Sequence, residues 1–396
     1  MSKKISVGVA LALILASIAA TFAVTVAVSQ TIYNKLISDI SGRTEMYSAI
    51  DDINALIRTN YYYFGSINSE KINFSISDGY VNGLGDPNSH FLTASAYTDY
   101  TERLNGNASG VGITTTWDAA TAKLVVTSVA NGSSAAAKGI KENDILTKIA
   151  GEKITANNYE SLLDTLSGDT LSTVSVTCSR NGTPLEFSVT VGYSFVSVSH
   201  KVIGNVGYIC ISAFYANTQD QLKEAITAVQ EAGAASIIFD LRGTKEGTVE
   251  YAAACIDCIT PICSSQDEVL AKLVGRDGTP VANYPSSSNN LNLPMAILVN
   301  GETAGPAELF ACDLRDFDKA VLVGTQTAGV GTAQQAFTLE DGSAVILTTS
   351  KIIPYKSESF NEVGLVPNHE VEGSASVLDE SKDAQLQKAI SVLSAD

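Results

Sequence analysis

From residue 204 onward, short apolar runs rich in β-branched residues alternate with segments of helical period, and this alternation restricts the fold more than any other feature. VGYICISAF (206–214), ASIIFDLRG (235–243), MAILVN (295–300) and KAVLVG (319–324) have the length and unbroken apolarity of strands buried on both faces. Between them, QDQLKEAITAVQEAG (219–233) repeats its apolar residues at helical spacing and stops at Gly233, and VEYAAACIDCI (249–259) reads as a second helix. Strands that repeatedly feed helices imply an α/β layer with parallel pairs. The polar stretch 276–294, which includes YPSSSNN, reads as a surface loop, and 377–393 as a closing amphipathic helix.

A different pattern precedes this layer. Residues 31–105 read mostly as helix, with apolar spacing in TIYNKLISDI and MYSAIDDINALI. Residues 106–193 read as short strands with one helix, beginning at the glycine turn Gly110-Val111-Gly112-Ile113. At the amino terminus, Lys3 and Lys4 precede an uncharged, mostly apolar run from Ile5 to about Ser29. A spanning helix needs about 20 such residues, more than a secretory core of about 7–15. The expectation is therefore an uncleaved signal anchor over 1–30, with the two lysines leaving the bulk outside the cytoplasm. The alternative is secretion after cleavage near Ala27-Val28-Ser29.

With 45% hydrophobic and 17% charged residues, the chain is globular and long enough for several domains. Its net charge of −17 argues against nucleic acid and against docking on an anionic leaflet. No phosphate-cradling or dinucleotide motif occurs, so no cofactor is expected. Of the six cysteines (178, 210, 255, 258, 263 and 312), Cys255 and Cys258 share a helix face, but no histidine stands in ligand spacing to them. They read as buried thiols, and no metal is expected.

Residues 298–334, LVNGETAGPAELFACDLRDFDKAVLVGTQTAGVGTAQ, carry the strongest functional signal. They resemble the active-site segment of the carboxyl-terminal processing (tail-specific) serine proteases. There a strand ends in Asn, S/T-A-S-A-S-E opens a helix, and a second strand leads into T-F-G-K-G-x-x-Q. Asn300, Thr303, Ala304, Glu308, Gly324, Thr327, Gly329, Gly331 and Gln334 fall in register. The resemblance puts Gly305 at the place of the nucleophilic serine and Val330 at that of the lysine base. No slip of the alignment repairs this, because no serine occurs between Ser288 and Ser343 and the only lysine in that interval is Lys319. Gln334 matches the glutamine that orients the lysine.

The oxyanion donors look altered too. Pro306 follows Gly305 and has no N–H to give. The family's D-L-R-x-N-P-G-G is here Asp240-Leu241-Arg242-Gly243-Thr244-Lys245-Glu246-Gly247, with Glu246 in place of the first paired glycine. A glutamate there is expected to be strained and to repel an oxyanion. Asp240 and Arg242 are expected to anchor a buried turn, and Thr303 is the one hydroxyl close by.

The resemblance extends over roughly 80–372. GLGDPNSHF matches the family's segment before its PDZ domain, and Ala135, Gly139, Asp144 and Ile145 carry the PDZ core pattern. It implies a PDZ domain over 106–193, a crotonase-like (ClpP/crotonase-type) α/β core over 194–375, and a carboxy-terminal helix over 376–396. A PDZ domain adds a chain end as a strand to a sheet edge, with the carboxylate expected at Gly110, Val111, Gly112 and Ile113.

The function these readings imply is an extracytoplasmic, membrane-anchored pseudoprotease. It would grip protein or peptide C-termini, or an active protease relative, without cleaving them. The alternatives are an active serine-type peptidase using non-standard residues, and a different, acyl-transfer enzyme on the same core. Pairing of two copies through the terminal helices is a further expectation.

Overall fold

The computed structural model describes residues 47–130, 133–168, 172–261, 269–287, 289–373 and 380–394. The expected anchor over 1–30 and Cys263 lie outside these residues; among the described ones, no helix is long and apolar enough to cross a membrane.

The chain divides into two units, Met1–Asn73 and Phe74–Asp396. In the first, residues 47–60 form a helix and Phe64–Ser66 a single 3-10 turn.

The second unit holds three larger sheets. The first lies within 106–193. Strands Ile113–Asp118, Lys123–Val129, Ile145–Ile149, Thr173–Arg180 and Thr183–Thr190 follow one another in space, each antiparallel to its neighbour. Alternate residues such as Leu124 and Val126 point inward onto Leu146, Ile149, Val176 and Val189, the period-2 signature of a half-buried strand. The helix Ser134–Lys138 is capped by the Ser133 hydroxyl, which accepts from the Ala136 amide at 3.1 Å. Asp144 is buried. It takes two 2.7 Å hydrogen bonds from Arg180 and a 2.9 Å bond from the Lys141 amide. The carboxylate thus fixes the turn before strand Ile145–Ile149 on strand Thr173–Arg180.

The central sheet runs Val198–Ile203, Val206–Ile211, Ser236–Asp240, Met295–Val299, Ala320–Gly324, His369–Glu370. Its first pair is antiparallel and the rest parallel. Ser236–Asp240 and Met295–Val299 are buried throughout. Ile237, Phe239, Ile297 and Val299 face the helices Thr218–Glu231, Val249–Asp257 and Pro306–Asp316. Ile238, Ala296, Leu298 and Val323 face Leu386 and Ala389 of the helix Ala384–Leu393. Both faces are covered, which is why these runs show no polar alternation.

Asp240 and Arg242 lock the last helix onto this sheet. The Arg242 guanidinium, only 6% exposed, bonds Asp240 and reaches Asp383 Oδ1 at 3.0 Å and Gln385 Oε1 at 3.1 Å. Asp383 caps the helix by accepting from the Leu386 amide. The expected buried anchor is what these residues form.

The third sheet is mixed in chain origin and antiparallel. Its long strand Ala344–Pro354 pairs with Thr332–Thr338 along one edge, and with His90–Leu92 and Ala271–Gly275 along the other. Pro280–Tyr284 pairs with Ala271–Gly275, so part of the stretch read as a surface loop is a strand. Asp277 makes the reversal. Its carboxylate accepts from the amide and hydroxyl of Thr279, an Asx-type turn that lets a polar segment fold back. The short strand His90–Leu92 likewise falls in a region read as helix.

Candidate functional site

Strands Ser236–Asp240, Met295–Val299 and Ala320–Gly324 are parallel, so the turns after them emerge at one edge of the sheet. Crevices at the carboxyl ends of parallel strands are where α/β folds bind ligands. Side chains stitch the three turns together. Asn300 Oδ1 accepts from the Gly243 amide at 3.0 Å and the Glu302 amide at 3.1 Å. The Thr303 hydroxyl, fully buried, donates to Leu241 O at 2.9 Å and accepts from the Asn300 amide at 3.0 Å. The Ala304 amide bonds Thr244 O and the Ala328 amide bonds Thr303 O.

Gly305 caps the helix Pro306–Asp316 with φ 57° and ψ −114°, a conformation in which an L side chain is strained. Space itself is open there: a Cβ would meet nothing nearer than Val330 O at 3.9 Å. Pro306 occupies the first helical position, where its missing N–H costs the helix nothing.

Glu308 organises the turn. Fully buried, its carboxylate accepts from the amides of Gly305 at 3.0 Å, Gly329 at 2.8 Å and Val330 at 2.8 Å, and from the Thr327 hydroxyl. Burial pushes its carboxyl above the ordinary range, against the pull of these four donors. The sequence placed Glu308 in register but gave it no task. Three of its four donors lie about twenty residues further on, beyond the reach of a local pattern.

Gly305, Pro306, Val330 and Gln334 line one cavity of about 420 Å³ with Lys245 and Tyr284. The sequence expectation thus brings its residues together. Gln334 is exposed on strand Thr332–Thr338, and its amide lies 3.4 Å from the hydroxyls of Thr332 and Thr348. Asn88, Tyr100, Gly247 and Gln334 also line a second cavity of about 480 Å³, so the two lie side by side and share a wall.

Glu246 departs from expectation. It is absent from the residues with positive φ and pairs in register with Ala213, so its backbone carries no strain. Its carboxylate lines the second cavity, where it accepts from the Tyr215 hydroxyl and stands 3.7 Å from the Arg103 guanidinium. Burial, then the bond to Glu246, pushes the Tyr215 phenol up. The expected charge repulsion beside Gly305 is therefore replaced by a partnered carboxylate facing elsewhere. Gly247 does need to be glycine: at φ 121° a Cβ would stand 2.2 Å from Phe214 O.

In the first sheet's domain, Gly110, Val111, Gly112 and Ile113 line a cavity of about 480 Å³ with Leu163 and Leu166. The Gly110 amide already donates to Gly168 O at 2.8 Å, so it is spent within the fold. Among the described residues, the amides of Val111 and Gly112 have no protein acceptor. The five described cysteines are all free. Burial drives the thiols of Cys178 and Cys312 up to about 12 and that of Cys210 to about 11, so they stay protonated near neutrality.

Residues 107–191 match the PDZ domain model and residues 205–371 the model of peptidase family S41. The chain joins a PDZ domain to a peptidase family S41 domain. Among its relatives are proteins named as CtpA-like serine proteases. The Staphylococcus haemolyticus one is 27% identical over 79% of this chain and 62% of its own length. The Staphylococcus saprophyticus one is 26% identical over 86% and 68%. The chain thus spans about two thirds of the length of these relatives. A crystal structure assigned to the S41 proteases, from Bacteroides fragilis, shares the fold at 20% identity with a TM-score of 0.50, over 87% of this chain and 97% of that one.

Proposed function

We propose that this S41 homologue binds unstructured polypeptide C-termini and does not cut them. One observation carries the reading. The turn that opens the helix Pro306–Asp316 is intact and pinned by Glu308, yet it ends in Gly305, with Val330 facing it. Serine–lysine proteolysis needs a hydroxyl on that turn, an amine to take its proton and amides to hold the oxyanion. Gly305 offers no hydroxyl, Val330 no amine and Pro306 no N–H. The Thr303 hydroxyl is buried and committed to Leu241 O, which argues against its serving as a replacement. The PDZ cavity supports capture of a chain end, with the carboxylate on the amides of Val111 and Gly112. The lysine-led apolar run at the amino terminus supports display of this domain pair outside the cytoplasm on a membrane anchor.

A second reading, an active peptidase with unfamiliar residues, is favoured by Lys245, an amine in the wall of the same cavity, and by the Thr248 and Thr332 hydroxyls there. Thr248 is occupied as a helix cap, accepting from the Tyr251 amide at 3.3 Å. A fluorophosphonate serine probe separates the readings. The proposal expects no labelling of the purified chain. Covalent labelling, abolished by changing one cavity hydroxyl, establishes the second reading instead.

A further inference from the structure

The far half of the helix Pro306–Asp316 contains an anomaly that peptide binding does not explain. Asp313 is fully buried, and its Oδ2 has no hydrogen-bond partner. A carboxylate oxygen stripped of water and left unpaired costs several kcal/mol as an ion, so its neighbours carry the explanation. They are a second carboxylate and a thiol: ligand atoms of Cys312, Asp313 and Asp316 all lie within 4.8 Å of one another. Cys312 Sγ stands 4.0 Å from Asp316 Oδ2.

We propose that Cys312, Asp313 and Asp316 bind one divalent transition-metal ion of the zinc class. A thiolate with two carboxylate oxygens is a donor set zinc accepts. Donors about 2.0–2.3 Å from a tetrahedral zinc stand about 3.5 Å apart, so the observed spacing closes on an ion with small side-chain shifts. Other contacts orient the donors as an outer shell does around a metal. The Tyr355 amide holds Asp313 Oδ1 at 3.0 Å and leaves Oδ2 over. Asp316 Oδ2 takes the Ser357 amide at 2.7 Å and the Lys356 amide at 3.2 Å, and its Oδ1 takes the Ser357 hydroxyl at 2.7 Å. Arg315 reaches in from the rim, 3.7 Å from Cys312 Sγ and 4.0 Å from Asp316 Oδ1. Three anionic donors, one guanidinium and one divalent ion sum to zero charge, which is the balance a buried cluster requires. The ion ties the helix that begins at Gly305 to the chain after strand Ala344–Pro354.

The test is zinc titration of the chelator-treated full chain, followed by thermal denaturation and by metal analysis after gel filtration. The proposal expects one zinc retained per chain and a melting temperature raised by about 5 °C or more at a hundredfold excess over Kd. Asp313→Asn and Cys312→Ser should each lose both effects. Asp313→Asn, which removes the unpaired charge, should melt above the metal-free parent, so loss of binding is not loss of folding. No zinc-dependent shift in the parent chain overturns the proposal, and so does a shift that survives in Asp313→Asn.

Discussion

Gly305 and Val330 donate their backbone amides to the same oxygen, Oε2 of Glu308, at 3.0 and 2.8 Å. The two positions that resemblance assigns to nucleophile and base are thus held face to face by one buried carboxylate. This geometry uses backbone alone, which is why it persists with neither catalytic side chain present.

Glu308→Ala should be the most damaging single change near the cavity. It strands the amides of Gly305, Gly329 and Val330 without an acceptor, at a cost of about 3–5 kcal/mol. Chemical denaturation measures it. A sign follows from burial as well. A carboxyl raised above its unfolded value of 4.5 gives stability that is full below that pH and fades as pH climbs through the folded value. Glu308→Gln should flatten that decline while lowering stability overall, since its amide meets N–H groups where the carboxylate had acceptors.

Gly247→Ala should cost about 3 kcal/mol or more, because the new methyl meets Phe214 O and the backbone must leave its left-handed angle. Glu246→Gly should cost within about 1 kcal/mol, since its ion pair with Arg103 is half exposed on both sides. Paired melting curves give the contrast.

Asp144 should govern the acid limb of the PDZ domain's stability. The bidentate hydrogen bond from Arg180 is the largest influence holding its carboxyl below 3.8, outweighing burial. A depressed carboxyl contributes stability that is complete above the unfolded value and lost as pH falls through the folded one. Asp144→Asn should therefore lower stability near neutrality by about 1.5–3 kcal/mol, and the parent's advantage should vanish toward pH 2. Melting curves from pH 2 to 6 on both chains decide it.

Gly305→Ser with Val330→Lys should fold, since a Cβ at Gly305 has clear space and only the backbone angle opposes it, at about 1–3 kcal/mol. The double variant should cleave tail peptides poorly, because Pro306 still withholds an oxyanion donor worth about 3–4 kcal/mol of barrier. Adding Pro306→Ala should raise the rate by about a hundredfold or more. Equal rates in the double and triple variants would show that the Pro306 amide is not the missing donor.

Much of this was readable from the chain. The parallel strands stood out because MAILVN and ASIIFD are apolar without interruption, and both their faces prove to be covered. Residues 300–334 placed the cavity because the turns after neighbouring parallel strands share one edge of the sheet. The antiparallel sheet was not legible: Ala344–Pro354 has partners at positions 90, 271 and 332, and no local pattern announces pairing across such distances. The charge repulsion expected from Glu246 failed for a similar reason, as Tyr215 and Arg103 come from other parts of the chain to receive its carboxylate.

The most direct measurement mixes the purified chain with a fluorescent, unstructured peptide bearing a free carboxyl end, and follows anisotropy and peptide length in the same tube. Saturable binding that weakens when the end is amidated, with the peptide still full length after prolonged incubation, is the predicted result. Shortening of the peptide above a buffer control, removed by changing a single hydroxyl or amine of the Gly305 cavity, would contradict the account.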